Sequence, residues 1–325
     1  MGEMTRLWIE QRRGFAIEAE HAVDAVLVDA HGSVRVLAGS DALTTFRSAA
    51  KPFQLEVAHG LLDPEVRLTL TPRDLALGTA SHHGEPSHVE GVAQLLTKLG
   101  CTEADLHCGA HLPTHTESAH ALLARGEPMS ALHNNCAGKH AFMAAASRTH
   151  GFAHDYRPAD HPLQRAILAR LAEHTEGAVI GTVTDGCGIP CFVLPLSAMA
   201  RAYAALARAY QHGRAPLATI GHAMRAHPRL VSGSEAFDGW LMEHTTLLAK
   251  VGALGLLCVA DPERELGLAI KVRSGSELAR AVAVEAVLAR HLPGVLSEPL
   301  PARHRVVHNV AGDEVGSIVR RFEED

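Results

Sequence analysis

The sequence predicts an α+β fold, an α/β sandwich with one mainly antiparallel sheet built from both chain termini and helices packed on it. Residues 22–39 read as two strands around the turn His31-Gly32-Ser33, and 255–260 with 266–273 flank the turn Asp261-Pro262-Glu263-Arg264. A last strand pair lies near 305–309 and 315–320, so hairpins stand at both ends of the chain. The middle is rich in Ala and Leu at helical spacing. With 47% hydrophobic residues in 325, the chain can bury a large core.

In chain order, a helix is expected from about Ala49, with Pro52 near its first turn, where proline is tolerated. Residues 81–87, SHHGEPS, form a loop feeding a helix from Val89 to Leu99. Another helix follows Gly138 through HAFMAAASRTH. Residues 178–184 are a strand that ends in the turn Asp185-Gly186-Cys187-Gly188, and 196–212, 215–226 and 276–291 are helical. Nothing repeats and no stretch reads as a linker, so a single domain over residues 1–325 is expected. No strand–GxGxxG–helix unit or P-loop is present, which argues against a nucleotide cofactor.

Composition removes other classes. A net charge of −6 with 4% aromatics offers nucleic acid neither a basic footprint nor stacking platforms. The start, MGEMTRLWIEQRRG, lacks the apolar core and cleavage site of a secretory signal. No run approaches the ~18 apolar residues of a membrane span, so a soluble cytoplasmic protein is expected. The six cysteines contain no C-x-x-C pair and read as reduced thiols.

Five of the 30 basic residues are lysines, at positions 51, 98, 139, 250 and 271. Where arginine supplies plain surface charge, a retained lysine marks a site that needs an amine able to lose its proton. Lys51 lies in Arg47-Ser48-Ala49-Ala50-Lys51-Pro52, an S-x-x-K at a helix start. Three residues is close to one turn, so the amine and the Ser48 hydroxyl share a face, and a buried lysine there can take the serine proton. Ser81, in Ala80-Ser81-His82-His83-Gly84-Glu85-Pro86, suits presentation of a second hydroxyl into a cleft, or a plain turn or cap.

His133-Asn134-Asn135-Cys136-Ala137-Gly138-Lys139-His140 opens a helix whose backbone N–H groups could hold a carboxylate. Cys136 and Cys187 either ligate a thiophilic metal together or fill the core as small apolar groups. Chemistry alone gives Lys139 a charge contact with a substrate carboxylate. Asp185 projects from a tight turn, and Lys250, before Val251-Gly252, could serve a second serine as base. Cys101, Cys108, Cys191 and Cys258 read as core residues. His111-x3-His115 has metal-ligand spacing on a helix, but Pro113 makes it loop. Lys98, at a helix end, and Lys271, alternating with Ile270 and Val272, read as solvated.

Taken together, RSAAKPFQ, ASHHGEPSHVEGV, HNNCAGKH, TDGCGIPCFVLPL and AKVGA resemble the asparaginase II family, the rhizobial-type L-asparaginases. The resemblance runs from about residue 15 to 310. The resemblance implies a fold related to serine β-lactamases and glutaminases. It implies hydrolysis of L-asparagine to L-aspartate and ammonia by a homodimer. Ser48 with Lys51 and Ser81 with Lys250 match the family's two Ser–Lys tandems. Cys136, Lys139 and Cys187 match the positions that hold zinc, and Arg47, Asn135, His140 and Asp185 match those lining the substrate. Two departures stand out: Ala137 occupies a position that is often Ser or Thr, and the stretch from Cys187 to Lys250 is shorter than in some relatives.

On this basis Ser48, deprotonated by Lys51, attacks the amide carbon, while Ser81 and Lys250 relay protons and later activate water against the β-aspartyl ester. The reverse assignment of the serines is the alternative. The rival activities are glutaminase, one methylene away, and a serine β-lactam hydrolase or D,D-peptidase-like amidase, whose S-D-N element has no convincing match here. A zinc-holding binding protein without catalysis is the non-enzymatic rival.

Overall fold

The structure is a computed structural model that describes residues 5–324. In chain order the first elements are strands β1 (Arg6–Arg13), β2 (Ala16–Val28), β3 (Val34–Ala38) and β4 (Leu43–Thr45), then a 3-10 turn over Arg47–Ala50. Helices α1 (Lys51–Gly60), α2 (Pro64–Thr69), α3 (Pro72–Gly78), α4 (Pro86–Lys98), α5 (Thr116–Ala124), α6 (Ala137–Thr149) and α7 (Pro162–His174) follow. Strands β5 (Gly181–Thr184) and β6 (Pro190–Pro195) precede helices α8 (Leu196–His212), α9 (Leu217–Ala226), α10 (Pro228–Val231) and α11 (Phe237–His244). Strands β7 (Leu248–Val251), β8 (Leu256–Asp261) and β9 (Leu266–Val272), helix α12 (Glu277–His291), and strands β10 (Val306–His308) and β11 (Glu314–Glu323) complete the chain.

Two compact units result, each assembled from separated stretches. The sheet unit takes Met1–Ala49, Leu194–Arg208 and His244–Asp325; the helical unit takes Ala50–Val193 and Ala209–Glu243.

In the sheet unit the strands run β10-β11-β1-β2-β9-β8-β7, with β3 also paired to β2, and the pairings along the sheet are antiparallel. The two ends of the chain lie side by side, Arg6 opposite Glu323 and Arg13 opposite Gly316. The predicted class, α+β with an antiparallel sheet built from both termini, is therefore observed. Strand β8 is buried throughout and β9 at every position but Lys271, as their near-continuous apolar sequences require. Helix α12 packs along β1, β2, β8, β9 and β11. Helix α8 comes so close to β9 at Gly267 that a Cβ there would stand 2.0 Å from the Ala200 carbonyl oxygen.

In the helical unit α6 is buried from Ala137 to Ser147, and α1, α3, α4 and α7 pack around it. An all-round apolar helix belongs in a core. Two glycines set the spacing there. A Cβ on Gly78 would meet Leu55 Cδ1 and Phe142 Cε2 at 2.8 Å, and one on Gly138 would meet the Leu77 carbonyl oxygen at 2.1 Å. Among the described residues no helix is long and apolar enough to cross a membrane.

The expected hairpins and helices all form, with ends shifted by a few residues. Strand β1 was not expected, because Glu10 interrupts its apolar alternation; that carboxylate is fully buried and paired with Arg12 and Arg321. Two lysines expected in solvent are bound. Lys98 donates to Asp74 Oδ2 at 2.7 Å, and Asp74 also caps α3 through Thr71. Lys271, half-covered on β9, donates to the carbonyls of Leu254 and Val272.

Candidate active site

Arg47, Ser48 and Lys250 belong to the sheet unit, and the other candidate site residues belong to the helical unit. Arg47 opens the 3-10 turn with a left-handed φ of 48°, a conformation that costs a non-glycine residue about 1–2 kcal/mol. Tyr203 Oη donates to the Ala49 carbonyl at 2.9 Å and pins the same turn, with Ser48 half-buried inside it. Lys250 is fully buried on β7, opposite Cys258 of β8, and its amine also reaches the Val251 carbonyl at 3.4 Å.

Lys51 is the first residue of α1 and is fully buried. Its Nζ donates to the Ala80 carbonyl at 2.5 Å, to Ser81 Oγ at 2.8 Å and to the Asn135 carbonyl at 3.1 Å. Burial pulls the amine below its ordinary range, against the opposing pull of Cys136, and Lys139 lowers it further. The sequence pairs Lys51 with Ser48 three residues earlier; within the helical unit the amine is bonded to Ser81, thirty residues later.

The segment 133–140 is held by both backbone and side-chain contacts. The close approach at Gly138 sets the start of α6 against the end of α3, from which Ala80 and Ser81 follow. Asn134 Nδ2 donates to the Cys108 and Gly109 carbonyls, and Asn134 Oδ1 accepts from the Cys136 N–H at 2.8 Å. The Asn135 N–H donates to His111 Nε2 at 3.0 Å, which leaves the His111 proton on Nδ1, facing the Leu112 carbonyl. Asn134 and His111 thus shape the site although sequence reasoning assigned them no role in it. His111 and His115 do lie outside helix geometry as expected, and His115 caps α5.

Cys136, Lys139 and Cys187 converge in the interior. Lys139 Nζ donates to Cys187 Sγ at 3.4 Å, and the two sulfurs share a hydrogen bond. That bond holds Cys136 well below the usual thiol range and raises Cys187, which burial raises further. Burial pulls Lys139 down, but Cys136, Cys187 and Asp185 outweigh it and keep the ammonium above its ordinary range. Asp185 closes a tight turn in which its Oδ1 accepts from the Gly186 N–H at 2.8 Å. All six cysteines are buried.

His140 is buried behind this cluster, its Nδ1 2.9 Å from Tyr156 Oη. Tyr156 donates to the Asp105 carbonyl and accepts from the His107 N–H, so His140 is the donor to it. Burial, with the Lys139 and Lys51 charges, keeps His140 neutral, and among the described residues its Nε2 has no hydrogen-bond partner.

A buried lysine on a serine hydroxyl is the arrangement from which serine–lysine hydrolases are built. The family model for L-asparaginase II matches residues 9–320, and the chain belongs to that family of amidohydrolases. No match was found among the curated proteins. Among solved structures the chain is similar to Mglu in its native form in the presence of 4.3M NaCl, at 16% identity and a TM-score of 0.38. That match covers 86% of this chain and 63% of the other. Mglu in its L-glutamate binding form matches at 16% identity and a TM-score of 0.38, covering 86% and 62%. The chain thus spans less than two thirds of the length of these structures.

Proposed function

We propose that the protein hydrolyses the side-chain amide of L-asparagine to L-aspartate and ammonia, with Ser81 and Lys51 as nucleophile and base. The observation that carries this reading is the surroundings of Lys51. Two backbone carbonyls take two N–H bonds of the amine, and Ser81 Oγ stands in the third direction. In the neutral amine, which burial favours, that direction holds the lone pair, and Ser81 donates its proton to it.

Ser81 Oγ then forms a bond to the amide carbon while Lys51 takes its proton. Collapse of the tetrahedral species passes that proton to the departing nitrogen, leaving a β-aspartyl ester and ammonia. Water, deprotonated by Lys51, cleaves the ester and restores Ser81. The neutral Nε2 of His140 accepts an N–H from the substrate. Ser48, Lys250 and Arg47 enter this reading through the family resemblance, as the second tandem and a substrate contact, and the homodimer enters the same way. The order of the two serines is the reverse of the one the sequence suggests.

Among the described residues no group of three or more His, Cys, Asp or Glu side chains gathers as a metal site. A zinc ion would therefore rest on Cys136, Cys187 and the Lys139 amine. These donors fit once the Lys139 ammonium gives up its proton: two thiols within hydrogen-bond reach and a nitrogen 3.4 Å from one of them. When bound, the ion would supply a fixed positive charge that shapes the substrate pocket. Its presence is read by metal analysis of the purified protein, with Cys136→Ala expected to remove it.

Ammonia release tests the activity. L-asparagine is expected to be the preferred amide over L-glutamine, and nitrocefin is expected to be left intact. Glutamine preferred at equal concentration would move the protein to the glutaminases. No ammonia from either amide would overturn the reading, and zinc binding alone would then favour the non-enzymatic rival.

A further inference from the structure

The loop that carries Ser81 is held from outside by a segment more than 140 residues away. The Ser81 N–H donates to the Val231 carbonyl at 2.8 Å. His88 Nε2 donates to the Arg229 carbonyl at 2.9 Å, and Glu85 Oε1 accepts from the Ser234 N–H at 2.7 Å and from its hydroxyl at 3.1 Å. Between these bonds a Cβ on Gly233 would stand 2.6 Å from His83 Nδ1 and 2.9 Å from Glu85 Oε1, so a larger residue there must displace those side chains. The segment itself is anchored by Ser232, whose hydroxyl donates to the fully buried Asp238 at 2.7 Å.

The other side of the loop is fixed too. Gly84 turns with a φ of 73° against Pro113, and the His115 N–H donates to the His83 carbonyl at 2.9 Å. His82 Nδ1 accepts from the Gly84 N–H at 3.2 Å and braces the turn from within. Because the Ser81 N–H is spent on Val231, it is not available to a developing oxyanion, and its bond serves position instead.

From this geometry we infer that Glu85 is a positioning residue for Ser81, acting through its two bonds from Ser234. This rests on the reading of Ser81 as the reacting serine. Glu85 needs only an acceptor oxygen for the task. Glutamine keeps one at Oε1, and alanine does not. A displacement of the serine by a fraction of an ångström weakens its alignment with Lys51 and with the amide carbon, which lowers kcat more than it weakens binding.

The experiment compares Glu85→Ala, Glu85→Gln, Gly233→Ala and Ser81→Ala in steady-state asparagine hydrolysis, with melting temperatures measured alongside. Glu85→Ala is expected to lower kcat by about 10- to 100-fold, the scale of lost supporting contacts, with KM changed less than about twofold. Glu85→Gln is expected to recover kcat to within about threefold of the parent. Gly233→Ala, which displaces the Glu85 carboxylate from its place beside Ser234, is expected to reproduce the kcat loss and stands in if Glu85→Ala does not fold. Unchanged kcat in Glu85→Ala, or a Glu85→Gln variant as slow as Glu85→Ala, overturns the inference and leaves Ser81 as nucleophile untouched. An active Ser81→Ala removes the reading of Ser81 and the inference with it.

Discussion

At the residue scale, the scarcity of lysine separates Lys51, Lys139 and Lys250, all fully or almost fully buried, from Lys98 and Lys271, which keep partial solvent contact. If neutral Lys51 is the base, as proposed, kcat/KM for asparagine is expected to rise with pH through its depressed pKa and to level off above it. Lys51→Arg, which stays charged, is expected to lose turnover at every pH, as a pH–rate profile would show. Lys98→Arg retains the pairing with Asp74 and is expected to change activity and melting temperature little. Lys98→Ala is expected to cost about 1 kcal/mol in denaturant unfolding, because the ammonium of this pair is one third exposed. The lysines worth inspecting were legible because their chemistry cannot be exchanged for arginine. Their partners were not. The contact between Lys51 and Ser81 depends on where α3 ends relative to α1, and no local spacing records that.

At the element scale, the helix starts and hairpins were readable from proline, turn residues and apolar alternation. Elements that break alternation with a satisfied charge, such as β1 with Glu10, were not. Gly138 shows the same limit. In sequence it is one small residue in HNNCAGKH, yet it sets the distance between the start of α6 and the end of α3. Gly138→Ala is expected to destabilise the protein by about 3 kcal/mol, the upper range for overpacking against backbone, measured by urea unfolding. It is also expected to lower activity beyond what the lost stability explains, since α6 carries Lys139 and His140 and Cys136 stands at its N-cap. Alanine tolerated with an unchanged midpoint would show that α6 can move away from Leu77 at little cost.

At the scale of the whole molecule, composition and the two hairpin-bearing ends were enough for the class, and β1 beside β11 bears that out. The division into two units left no trace in the sequence because the chain passes between them four times, after Ala49, Val193, Arg208 and Glu243. Each passage falls within or next to a regular element rather than in a Gly- or Ser-rich stretch, so no linker composition exists to be found. Family membership is shown over residues 9–320, and the resemblance proposes two serines for the chemistry without ordering them.

The central claim is that Ser81, served by Lys51, forms the bond to substrate. Its most direct test is acid quenching during asparagine turnover, followed by peptide mapping by mass spectrometry to locate the β-aspartyl ester. The adduct is expected on the peptide containing Ser81 and is expected to vanish in Ser81→Ala. An adduct on Ser48, with Ser81 unmodified, would contradict it and return the attack to the first tandem.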